Sequence, residues 1–96
     1  MSRPRDRGAV SPRRKPPWTD LEVEFEPHAR RRMLERGLTE LEVRGILEHS
    51  RRYRRSRHGG RWLVFAQLRG VRWHIVVKPE IESGQLWVVT VLELVE

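Results

Sequence analysis

Pro27-His28-Ala29-Arg30-Arg31-Arg32-Met33-Leu34-Glu35-Arg36-Gly37 reads as one short helix with a start and a stop. Proline is tolerated at the first helical position, where its missing N–H would have no partner anyway. Glycine at the end suits the left-handed turn that closes a helix. At about 100° per residue, His28, Arg32 and Arg36 fall in one stripe, with Ala29 and Met33 beside it and free to face a core. A histidine and two guanidiniums then project together from the border between packed surface and water, a site for a phosphate. The plainer reading, a solvated basic face with His28 near the helix start, stands beside it.

The flanks extend the pattern. Leu21-Glu22-Val23-Glu24-Phe25 alternates apolar and acidic residues, the period of a strand with one covered face. After Gly37 and Leu38, Thr39-Glu40-Leu41-Glu42 has the spacing of a capping box, so a second helix starts there and runs to about His49. Val43, Ile46 and Leu47 share one side of it, and Glu40, Arg44 and Glu48 another. The short connection makes a helical hairpin. A DNA-reading helix-turn-helix has this outline, but Glu40, Glu42 and Glu48 on the second helix disfavour a DNA groove.

Arg51, Arg52, Tyr53, Arg54, Arg55, Arg57 and Arg61 follow as a basic patch with one aromatic, a composition suited to RNA phosphates and a stacked base. Part of it reads as a short edge strand, and a basic edge also discourages strand-to-strand aggregation. Trp62 to Gln67 is a mostly apolar strand, and Arg69-Gly70 turns it into Val71 to Lys78. There Val71, Trp73, Ile75 and Val77 face one way, and Arg72, His74, Val76 and Lys78 the other. Pro79 to Gln85 reads as a loop, and Leu86 to Leu94 as a final strand containing Thr90. Short turns make antiparallel neighbours. The expected fold is therefore α+β: an N-terminal strand and a helical hairpin packed on a three- to four-stranded antiparallel sheet. Trp18, Trp62, Trp73 and Trp87 read as packing residues, with Trp62 the one candidate base platform.

The chain has 96 residues, enough for one domain of modest stability or one aided by association. Of its net charge of +7, most lies in residues 1–17, which hold six basic residues against one acidic. That segment is rich in proline and arginine and poor in apolar residues, so it is expected to be a disordered basic tail, with a single domain over 18–96. There is no cysteine, hence no disulfide or thiolate chemistry. No run approaches the roughly 20 apolar residues of a membrane span, and the N-terminus lacks the apolar segment of a secretory signal. The expectation is a cytoplasmic protein with no membrane association.

His28, His49, His58 and His74 show no metal-ligand spacing, and neither a nucleophile elbow nor a glycine-rich phosphate loop occurs. The expectation is no metal and no cofactor. Histidine, arginine and lysine without a metal suit RNA cleavage by the RNA's own 2′-hydroxyl, with histidine as base or acid and cations holding the five-coordinate phosphate. His74 and Lys78 are further candidates for that work, on the strand face they share with Arg72.

His28-Ala29-x-x-Arg32-Met33-x-x-Arg36-Gly37-Leu38-Thr39-x-x-Glu42-Val43, with Val88-Val89-Thr90-Val91 near the end, resembles the family catalogued as domain of unknown function 4258. The likeness spans residues 21–95 or so. It implies the barnase–EndoU–colicin–RelE-like fold, which many toxin ribonucleases share. It would make His28, Arg32 and Arg36 the motif residues and Thr90 a weaker candidate. One departure is Glu26, where relatives often place a serine or threonine cap; glutamate caps poorly. The expected function is a metal-independent, RelE-like endoribonuclease acting on RNA, free of any cofactor, with an antitoxin protein, the ribosome or a second copy of the chain as partners. Two alternatives remain: a non-catalytic RNA- or ribosome-binding module, and a protein-interaction domain in which Arg32 or Arg36 bonds Glu35, Glu40, Glu42 or a helix end.

Overall fold

The computed structural model describes residues 16–94. The tail expected over 1–17 lies, but for Pro16 and Pro17, outside the described residues. Those two prolines begin a turn in which Thr19 donates to the Pro16 carbonyl from both its N–H and its Oγ1, at 3.1 and 2.7 Å.

Seven elements follow: β1 (Glu22–Phe25), α1 (Pro27–Arg36), α2 (Glu40–His49), β2 (Tyr53–Arg55), β3 (Trp62–Leu68), β4 (Val71–Glu80) and β5 (Gln85–Leu94). The helix signals act as written. Glu26 makes no side-chain cap, Pro27 opens α1, and Gly37 closes it in the left-handed region at φ 73°. Thr39 and Glu42 form the reciprocal cap of α2, at 3.1 Å from Glu42 N–H to Thr39 Oγ1 and 3.0 Å from Thr39 N–H to Glu42 Oε1.

The sheet corrects the expectation of three or four antiparallel strands. It has five, in the order β1-β5-β4-β3-β2, and it is mixed, because β1 pairs with β5 in parallel. Short connections force antiparallel pairing only from β2 onward. The chain leaves β1 through two helices, so β1 takes the edge that β5 leaves open, placing Val23 beside Leu86 and Phe25 beside Val88. The loop expected over 79–85 also shortens, since Pro79 and Glu80 continue β4 opposite Leu86 and Gln85. Proline is tolerated there because β3 stops pairing at Trp62–Val77, which leaves that side of Pro79 without a neighbouring strand.

The β3–β4 turn has two residues, Arg69 at φ 53° and Gly70 at φ 78°. Positive φ at both positions makes the turn whose twist matches its strands. For arginine that conformation costs roughly 1–2 kcal/mol. Its guanidinium supplies compensating bonds, donating to the Glu42 carboxylate and, at 3.1 Å, to the Gly37 carbonyl. Arg69 thereby ties this turn to the junction of the two helices.

Both helices cover one face of the sheet. Ala29, Met33, Val43 and Leu47 pack there against Val64, Trp73, Ile75, Val77, Val88 and Val91. Each such aliphatic side chain contributes about 1.5–3 kcal/mol by leaving water. Trp18 seals the end of α2, donating from Nε1 to the Leu47 carbonyl at 3.2 Å and meeting Tyr53 and Trp62 edge-on. No element among the described residues covers the other face. Val76 lies there, only 8% exposed yet outside the core cluster, screened by its own sheet neighbours.

One irregularity decides what that open face carries. Val77 pairs with Val88 but Val76 pairs with Thr90, so Val89 is an extra residue, a β-bulge. Strict alternation after Val88 would turn Thr90 inward. The bulge resets the phase, so Val91 enters the core and Thr90 joins Val76 on the open face.

Candidate nucleic-acid interface on the open sheet face

The α1 stripe is present, but its cations are engaged. Arg36 reaches Glu93 of β5 at 3.8 Å, Arg32 meets Glu35 at 3.9 Å, and Arg30, the next guanidinium around, pairs with Glu40. Such exposed pairs contribute at most about 1 kcal/mol each, yet each places a carboxylate where a phosphate would bind. His28 is exposed in the first turn and has no hydrogen-bond or ion-pair partner among the described residues.

His74, Lys78 and Thr90 stand elsewhere. Trp73, Ile75 and Val77 point into the helix-covered core, so the alternate residues of β4 point to the open face. His28, Arg32 and Arg36 therefore lie on one side of the sheet and His74, Lys78 and Thr90 on the other. The two sets do not make one site.

The basic patch divides by the same parity. Tyr53 turns toward the helix side, 5.7 Å from Trp62, and Arg55 lies 5.2 Å from the Trp62 ring. Arg52 and Arg54 go to the open face, where their guanidiniums sit 5.8 and 5.9 Å from the Phe65 ring. Arg51 and Arg57 are exposed beside β2, and Arg61 is half-buried in the turn before β3. Ser50 fixes the start of this segment, its Oγ accepting from Arg52 N–H at 3.4 Å.

Phe65 pairs with His74 across β3 and β4, and their rings meet edge-on at 4.7 Å. One aromatic ring thus holds two guanidiniums and an imidazole together. Beside them is a cleft of about 440 Å³, lined by Arg52, Phe65, Gln67, Arg72, His74 and Leu94 among others, with no carboxylate among the described lining residues. A nucleotide fits a cleft of that size. Burial, and secondarily the Arg54 charge, holds the His74 pKa below the ordinary histidine value. Both causes favour the neutral imidazole, the form that accepts a proton. Among the described residues no three histidine, cysteine, aspartate or glutamate side chains gather as a metal site would require.

A family model described as Domain of unknown function (DUF4258) matches residues 25–93. The chain belongs to the DUF4258 family. No curated protein and no solved structure matches it. The DUF4258 match runs from the last residue of β1 almost to the end of β5, so it includes both the α1 stripe and the open face. Trp18 and the residues before it lie outside. No helix of this DUF4258 chain among the described residues is long and apolar enough to cross a membrane.

Sequence reasoning missed Phe65, Gln67 and Trp87 as residues of this face. The signal was present: a two-residue Arg69-Gly70 turn fixes Leu68 opposite Val71, and counting back puts Phe65 opposite His74 and Gln67 opposite Arg72. Trp87 corrects the reading of the tryptophans as packing residues with Trp62 the one candidate base platform. Trp18 and Trp73 are core and Trp62 borders it, whereas Trp87 alternates with the buried Leu86 and Val88 and lies on the open face.

Proposed function

We propose that this DUF4258 domain binds single-stranded RNA on the open face of its sheet and cleaves it there without a metal ion, with His74 as the proton acceptor. The supporting observation is the cleft in which Arg52 and His74 meet, with Arg54 alongside and no carboxylate among the described lining residues. In the reaction His74 takes the proton of a 2′-hydroxyl, and the freed oxygen attacks the adjacent phosphorus. The bond to the 5′-oxygen breaks, that oxygen takes a proton from water, and a 2′,3′-cyclic phosphate remains. Guanidiniums oppose the charge that builds on the phosphate oxygens. The motif's resemblance to a family for which a RelE-like toxin fold is expected supports the same reading, and we propose with it a cytoplasmic setting, ribosome-associated RNA as substrate, and an antitoxin protein as partner.

The test is incubation of the full chain with a single-stranded RNA oligonucleotide in EDTA. Cleavage leaving cyclic-phosphate ends is expected, abolished by His74→Ala and retained by His28→Ala. The reverse pattern would move the chemistry to α1. Tight, salt-sensitive binding without cleavage would select the second reading, an RNA-binding module. That reading is favoured by the presence of only one histidine in the cleft lining, with no second group titrating near neutrality to serve as acid.

A further inference from the structure

We infer that Trp87 and Glu24 form a base-recognition subsite for guanine on this same face, an inference that rests on the RNA reading. Trp87 is partly exposed and takes no part in the core cluster. Its register neighbours are Glu24 on β1 and Lys78 on β4. Register partners project to the same side with Cβ atoms about 5 Å apart, so the indole has a carboxylate beside it on β1, while on β4 the Lys78 stem passes close to Gly60. Among the described residues neither Glu24 nor Lys78 has an ion-pair partner.

Lys78 lies four residues along β4 from His74, about 13 Å at the strand rise. Polynucleotide running along β4 thus meets the guanidinium cleft first and the indole one or two nucleotides later. A carboxylate beside the track opposes phosphate but suits the edge of a base. Base–aromatic stacking is indifferent to base identity, so the choice falls to Glu24. Guanine offers two adjacent N–H donors, which both carboxylate oxygens can accept, as in other paired, charge-assisted hydrogen bonds. Cytosine and adenine offer one amino group, and uracil one N–H between two acceptor oxygens that the carboxylate repels.

The experiment uses the wild-type full chain with 2′-O-methyl hexanucleotides, which lack the nucleophile and stay intact. Affinity is read by fluorescence anisotropy for all-uracil hexamer and for hexamers with guanine at each position in turn. A guanine at one position should tighten binding about tenfold, within the range of a single base contact. Glu24→Gln should erase that preference and raise all-uracil affinity, because the charge that opposes phosphate and uracil oxygens is gone. Trp87→Leu should weaken every hexamer about tenfold, and Trp87→Phe, which keeps a ring, should restore most of it. Equal affinity for all hexamers, or a guanine preference that survives Glu24→Gln, overturns the subsite while the RNA reading stands. No binding of any hexamer overturns both.

Discussion

At His74 burial and Arg54 act in the same direction, against protonation. The acid limb of the cleavage rate should therefore fall below pH 6.5, the ordinary histidine value. Arg54→Ala should move that limb upward, because the smaller of the two causes is gone. The stability consequence has a definite sign: a histidine whose folded pKa is depressed stabilises the fold above its unfolded pKa, and the contribution is lost as pH falls through the folded one. A thermal-melt series from pH 7 to 5 should show this loss in wild type and not in His74→Phe, which keeps an aromatic ring against Phe65. Glu42 shows the same sign in a lower window. The Arg69 hydrogen bond first, then the Thr39 N–H, holds its carboxyl below 4.5. Stability linked to it is full above that value and lost as pH drops below it, so Arg69→Ala should shift the acid-unfolding midpoint upward.

The helices were legible as elements because both their ends are written in residue chemistry. Proline, glycine and a reciprocal threonine–glutamate cap fix boundaries locally, whatever the rest of the chain does. Thr39→Ala should accordingly cost about 1 kcal/mol in denaturant unfolding. The sheet was legible where tight turns set the register and illegible where they do not. The place of β1 depends on which edge β5 leaves free, a property of the assembled sheet, and Glu22 to Phe25 carry no local mark of it. The bulge at Val89 is hidden for a similar reason, since four consecutive residues of Val88-Val89-Thr90-Val91 give no turn signal. Deleting Val89 should close the bulge into a regular ladder, because Thr90 then follows Val88 directly and still faces outward while Val91 still enters the core. The fold should survive this deletion, with the largest NMR amide shift changes confined to the residues around Thr90. The α1 stripe was read correctly as a geometric row, but one helix says nothing about Glu93, which arrives from β5 and occupies Arg36.

Across the described molecule, arginines differ by face. On the helix side Arg30, Arg32 and Arg36 pair with carboxylates, whereas Arg52 and Arg54 on the open side are held against an aromatic ring, beside a cleft whose described lining holds no acid. RNA affinity should therefore fall with salt, with a log–log slope of about −2 to −3 for three or four phosphates on single strands. The double variant Arg52→Ala with Arg54→Ala should flatten that slope by about 1.4, whereas Arg30→Ala with Arg36→Ala should leave it unchanged. The parallel pairing of β1 with β5 reaches further than the site. Among the described residues, β1 finds its one partner strand in β5, so during synthesis Phe25 and Val23 wait for a neighbour that is translated some sixty residues later. Late closure of this kind is entropically slow, and a chain stopped in the turn at Gly84 leaves β1 with no strand to pair with. Nascent chains arrested there should stay protease-sensitive throughout, with resistance arriving in one step once β5 has cleared the exit tunnel.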